Sequence, residues 1–257
     1  MSDSRQQCVI TRETTMRLAS DVRDIYKHPL HSEGIYYEHD ESDLLKGYAM
    51  IIGPEDTPYS GGYYFFKFAF PSNYPHSPPK AIFHTNNGSM RMHPNLYKSG
   101  NVCLSVLNTW HGDQWDGCQT ISSILLTIRH ILTKDPLTHE PGLGESHPDF
   151  FSYTQLVAFY NIRLATIDIL SSAYIDRHFS SLLQTAKQNF IDDYDKKMKA
   201  LEDAREGFDN FKTTRRLAPP DTLSTRSIYN IPQVRIDYDV LVRDLASMRQ
   251  KLLTAST

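Results

Sequence analysis

His93-Pro94-Asn95-Leu96-Tyr97-Lys98-Ser99-Gly100-Asn101-Val102-Cys103-Leu104 is the stretch on which the reading of this chain turns. A residue before proline is pushed towards extended backbone, so His93-Pro94 reads as the exit from a strand into an irregular loop. The Asn95 amide can hydrogen-bond across that loop, Gly100 lets it turn, and Cys103 follows eight positions after Asn95, with Trp115 a little downstream. No Cys-x-x-Cys partner and no local His-Asp pair lies beside Cys103. Those surroundings suit thioester exchange, in which one thiolate displaces another at little energetic cost. An isolated cysteine is most often a small buried hydrophobe, but the flanking pattern here argues for chemistry.

Upstream of the loop, strand-like segments at 35–38, 44–52, 63–70 and 81–83 are separated by Gly-Pro, Ser-Gly-Gly and proline-rich turns, which predicts an antiparallel meander. Before them, residues 11–26 have amphipathic helical spacing, with Leu18, Val22 and Ile25 on one face and Arg12, Arg17 and Arg23 towards water; His28-Pro29 ends the helix. Downstream, Ile121, Ile124, Leu125, Ile128 and Leu132 predict a buried helix over 120–132, followed by a Pro- and Gly-bearing loop at 134–142. A long helix is expected after Pro148 on the stripe Tyr153, Val157, Tyr160, Leu164, Ile167 and Tyr174. Another carries Phe179, Leu183, Ala186, Phe190, Tyr194 and Met198; these stripes read as packing surfaces. Charges gather from Asp192 to Arg216, the segment 215–220 reads as an exposed bend, and a last helix spans 238–253, with Leu241, Leu245, Met248 and Leu252 facing the body.

Composition bounds the function. With 257 residues, 40% hydrophobic and 22% charged, the chain can bury a full core and carry an elaboration on it. A net charge of -3 gives no general pull towards nucleic acid. Three cysteines, Cys8, Cys103 and Cys118, are too few for a disulfide framework and favour a reducing compartment. The polar first seven residues lack the apolar stretch of a signal peptide, and no apolar run reaches membrane-spanning length.

The turn at 53–62, the proline-rich loop at 71–80 and the His93 to Cys103 loop, in this order, resemble the ubiquitin-conjugating (UBC) enzymes. The step from cysteine to tryptophan is lengthened by Asn108-Thr109-Trp110-His111-Gly112-Asp113-Gln114. Together with His139-Glu140-Pro141-Gly142 and the segment 237–251, this is similar to the large-enzyme branch of that family. The likeness is strongest from residue 25 to 142.

The resemblance implies an α+β UBC fold: N-terminal helix, four-stranded antiparallel meander, central helix and helical C-terminal extension. It divides the chain into a flexible N-terminus at 1–10, a catalytic core at 11–175 and a packed extension at 176–257. It implies that ubiquitin or a ubiquitin-like protein passes from an activating enzyme to Cys103 as a thioester and then to a substrate lysine, with a ligase as partner. No cofactor, nucleic acid or membrane is implied, and the expected state is a monomer in the cytoplasm and nucleus. Asn95 is assigned to stabilising the oxyanion or holding the loop, and Glu140 to orienting the incoming lysine, with His139 as the alternative. His93 and Pro94 fix the loop and Trp115 supports it. Arg12, Arg17 and Arg23 are candidate contacts for the activating enzyme, against plain solvated helix charge. His111 and Asp113 read either as specificity residues or as polar surface.

Two departures bear on ligases: His76 stands where ligase-binding members often carry phenylalanine, and Asp116-Gly117-Cys118 stands where they carry Ser-Pro-Ala. A non-catalytic UBC-like binding module is the competing reading. Such variants generally lack the cysteine, and the absence of a resolving cysteine disfavours a redox thiol protein.

Overall fold

The computed structural model describes residues 10–171, 177–217 and 221–255. Cys8, Tyr174, the expected boundary at 175/176 and residues 218–220 of the expected bend at 215–220 lie outside the described residues. Helix α1 (Arg12–Lys27) starts at Thr11, whose hydroxyl accepts from the Thr14 N–H at 3.0 Å, and ends at His28, before Pro29. Leu18 and Ile25 are buried beneath it. Strands β1 (Ile35–His39), β2 (Lys46–Ile52), β3 (Tyr63–Ala69) and β4 (Lys80–Phe83) pair antiparallel in chain order, the expected meander. Helix α2 (Ile121–Ile131) opens on a capping box between Thr120 and Ser123 and buries the predicted isoleucine and leucine stripe.

Register explains why the sheet is greasy on both sides. Ala49 pairs with Phe66 and Ile51 with Tyr64 on one face, while Met50 pairs with Phe65 on the other. Helix α3 (Phe150–Ile162), continued as a π-helical stretch (Arg163–Asp168), meets the first face: Asn161 accepts from the Tyr64 hydroxyl at 2.6 Å and donates to the Ser60 carbonyl. The second face is covered by the C-terminal extension. Phe179 is fully buried, its ring edge-on to Phe65 at 5.4 Å and to Tyr48 at 5.2 Å.

One expectation needs correction. The stripe from Phe179 to Met198 belongs to two helices, α4 (Ser180–Asp192) and α5 (Tyr194–Arg215), broken at Asp193. The Asp193 backbone leaves the helical region at φ -103 and ψ 23, and its carboxylate takes a 3.0 Å bond from the Asn189 side chain. The break lets α5 lay Lys197 against the core. Its Nζ donates to the Gly61 carbonyl at 2.6 Å and lies 4.4 Å from the Tyr63 ring centroid, and burial pulls its pKa from 10.5 down to about 8. Gly61 sits in left-handed backbone at φ +67, the turn that aims its carbonyl.

A two-stranded ribbon, β5 (Thr222–Leu223) with β6 (Val234–Arg235), and helix α6 (Tyr238–Ala255) complete the extension. Helix α6 packs on α4 and α5 through buried Leu241, Leu245 and Met248. Tyr238 packs edge-on against Phe159 and at a tilt against Phe208, and Arg163 pairs with Asp244 at 2.8 Å. Among the described residues no helix is long and apolar enough to cross a membrane.

Candidate active site

The eight-residue spacing from Asn95 to Cys103 is the length of a closed loop. The Cys103 N–H donates to the Asn95 carbonyl at 2.9 Å, Leu96 bridges to Val102, and Tyr97 and Gly100 close the turn, with Gly100 at φ +86. The Asn95 amide returns the bond, its Nδ2 donating to the Cys103 carbonyl at 2.6 Å. Asn95 thus grips Cys103 twice, once by backbone and once by side chain. Asn101 in turn bridges to Ile82, which moors the loop to β4.

Cys103 is part-exposed and opens on a groove of 460 Å³ lined by Pro78, Pro79, Tyr97, Asn101, Leu107 and Thr109 among others. Its thiol donates to the Thr109 carbonyl at 2.7 Å. Thr109 also accepts the Leu104 N–H through its hydroxyl at 2.8 Å, so the inserted segment pins the backbone bearing the thiol. Of the other insertion residues, His111 and Asp113 are exposed, and neither reaches Cys103 by a hydrogen bond. Trp115 is packed 5.7 Å from Tyr74 and donates its indole N–H to the Pro75 carbonyl, so it supports the proline-rich loop.

His93 is fully buried and its Nδ1 accepts the Asn95 N–H at 3.0 Å. Burial, reinforced by neighbouring His139, holds its pKa well below the ordinary imidazole value. A neutral, enclosed ring bonded to the loop backbone is a fixing element, and the Pro94 carbonyl beside it is held by the Arg91 guanidinium. His139 packs against His93, the rings tilted by 58° with centroids 4.9 Å apart, and burial lowers its pKa too. The turn Pro136–His139 therefore lies against the His93 side of the cysteine loop, and Glu140 follows it.

Glu140 does not line the Cys103 groove. Its carboxylate accepts from the hydroxyl of Tyr229, which comes from the extension. The Tyr229 ring covers the Arg91 guanidinium at 4.2 Å while Tyr97 covers the opposite side at 3.9 Å. Burial first, and the Glu140 bond second, push the Tyr229 phenol well above its ordinary pKa, so it stays a donor.

Of the three α1 arginines, Arg12 and Arg23 are exposed. Arg17 departs from the expected solvated face: its guanidinium bonds Asp21 at 2.9 Å and the Gly117 and Gln119 carbonyls. Asp21 in turn accepts from the Tyr74 hydroxyl, so Arg17 is a strut between α1 and the loop after Trp115. Cys118 is exposed in that loop. No group of His, Cys, Asp and Glu among the described residues has a metal-holding arrangement.

Residues 17–147 match the ubiquitin-conjugating enzyme family, half of the chain and all of the site around Cys103. The chain belongs to that family. Among its relatives, ubiquitin-conjugating enzyme E2 Z of Danio rerio is 36% identical over 193 residues, covering 74% of this chain and 56% of the relative. The Homo sapiens E2 Z is 40% identical over 158 residues, 60% of this chain and 44% of the relative. The Homo sapiens dual E2 ubiquitin-conjugating enzyme/E3 ubiquitin-protein ligase BIRC6 is 42% identical over 147 residues, 53% of this chain and 3% of the relative. The chain thus spans about half the length of the E2 Z relatives it matches. Around Cys103, the residues that the sequence alone did not reveal are Arg91, Thr109 and Tyr229. Thr109 lay inside the flagged insertion, whereas Tyr229 sits in a loop 89 residues from its partner Glu140, with no local pattern to announce it.

Proposed function

We propose that this chain carries ubiquitin or a ubiquitin-like protein as a thioester on Cys103. The Cys103 thiolate attacks the carbonyl of the thioester on an activating enzyme; the new C–S bond forms as the old one breaks, and the enzyme's thiolate leaves. In the second step a substrate lysine, as the neutral amine, attacks that carbonyl; the C–N bond forms as the C–S bond breaks, the Cys103 thiolate departs, and the nitrogen gives up one proton to the thiolate or to water. A lysine has a reference pKa of about 10.4 and needs desolvation or a nearby acidic group to react near neutrality. The activating enzyme, a ligase and substrate proteins are the partners this reading implies, in the cytoplasm and nucleus.

The observation that carries it is the Asn95–Cys103 double clamp, which fixes a part-exposed thiol at an open groove. A non-catalytic binding module would need neither the thiol nor its clamp. Mixing the chain with activating enzyme, ATP and ubiquitin should give a gel shift that a reducing agent reverses. Cys103→Ala should abolish the shift and Cys118→Ala should keep it; a shift surviving in Cys103→Ala would overturn the assignment.

A further inference from the structure

The extension does more than cover the sheet, because one of its loops reaches the surroundings of the active site. The segment between β5 and β6 is held to itself by buried Thr225, whose hydroxyl donates to the Ile228 carbonyl and accepts the Ile231 N–H. It is held to the core by Asp149, a buried carboxylate just before α3 that accepts the Ser227 and Ile228 N–H groups at 2.7 and 3.1 Å. At its tip Tyr229 and Asn230 both sit in left-handed backbone, at φ 53 and 45. Successive non-glycine residues in that region are costly and persist only where contacts over-determine them.

What those contacts achieve is the placement of one side chain. The Tyr229 ring closes a stack with Arg91 in the middle and Tyr97 on the far side, and packs 5.4 Å from Tyr153, whose hydroxyl holds the Arg91 carbonyl. Arg91 holds the Pro94 carbonyl at the root of the cysteine loop, and Tyr97 lines the Cys103 groove. The Tyr229 hydroxyl meanwhile is the hydrogen-bond donor to Glu140 on the neighbouring loop. One side chain from the extension therefore bonds the Glu140 loop directly and reaches the cysteine loop through Arg91.

Resting on the reading proposed above, we propose that Tyr229 is a positioning residue for transfer to lysine. Its hydroxyl aims the Glu140 carboxylate and its ring steadies Arg91, so the C-terminal extension sets the geometry beside Cys103. Nothing covalent happens at Tyr229. It acts through Glu140 and the loop.

The test uses the full chain with activating enzyme, ATP and ubiquitin, and measures loading separately from single-turnover discharge to free lysine across lysine concentrations. Tyr229→Phe keeps the ring on Arg91 and removes only the hydroxyl, so folding is preserved. Its loading should stay within about twofold of the parent, while discharge at saturating lysine slows by about tenfold. Glu140→Gln should slow discharge similarly, and the double variant should be no slower than the slower single one, because both remove the same contact. Tyr229→Ala should be slower still. Discharge of Tyr229→Phe at the parent rate, losses that multiply in the double variant, or loading that fails in step with discharge would each overturn the proposal. A parent chain that does not load at all would instead sink the carrier reading, and the Tyr229 role with it.

Discussion

The amide of Asn95 gives one of its two N–H donors to the Cys103 carbonyl, so its first effect is to hold the thiol-bearing backbone in place. Asn95→Ala should still load the modifier but discharge it to lysine more slowly, on the order of a hundredfold if a bond of oxyanion-contact strength is lost. Equal single-turnover discharge rates for parent and variant would refute that. Lys197 offers a residue-scale test of stability. Its folded pKa of about 8 lies below the free value of 10.5, so between these values the unfolded chain holds the extra proton and stability rises with pH. Urea unfolding should show a gain of about 2 kcal/mol from about pH 7.5 to about pH 9.5, and Lys197→Met should flatten it. A parent with no such rise would show that Lys197 is solvated. In the opposite direction, His39, His93 and His139 all have lowered folded pKa values, so stability falls as pH drops below the free imidazole value of about 6.5 and the unfolded chain takes up protons first. Cys103, Asn95 and His93 were legible in the sequence because the single eight-residue spacing from Asn95 to Cys103 and the adjoining Pro94 fix their mutual geometry. Tyr229 and the strut role of Arg17 were not, because each depends on partners far away in the chain.

At the scale of elements, the strands came out close to their expected bounds because turn residues punctuate them: Gly-Pro, Ser-Gly-Gly and a proline run leave few alternatives. Helix α1 and helix α2 were legible through their apolar stripes, and the end of α1 through His28-Pro29. The region after residue 192 was harder. Helix α5 buries Lys197, Leu201 and Phe208 on one face, but a lysine at the head of that face breaks the apolar period, and the charges around it read as solvated surface. The two-residue strands β5 and β6 are too short to carry a period at all. Phe179 is the joint between extension and sheet, packed on Tyr48, Phe65 and His84. Phe179→Ala should cost about 3 to 5 kcal/mol in urea unfolding. A loss below about 1 kcal/mol would mean that the extension does not depend on this contact.

For the whole molecule, the sheet meets α3 and its π-helical continuation on one face and the extension on the other, and α6 ties α4 to α5. The extension is then part of one packed body. Under limited proteolysis the full chain should persist, and a chain ended before residue 177 should lose solubility because Tyr48, Met50, Tyr63 and Phe65 become exposed. Rapid trimming to a soluble fragment that still loads would contradict this. The central claim, however, is the covalent carrier on Cys103, and intact-mass spectrometry reads it most directly. With activating enzyme, ATP and ubiquitin, the parent should gain the mass of one ubiquitin less one water and lose it on thiol treatment. Cys103→Ser should gain the same mass as an ester that thiol leaves in place, and Cys103→Ala should gain none. A thiol-labile ubiquitin adduct on Cys103→Ala, or none on the parent, would contradict the account.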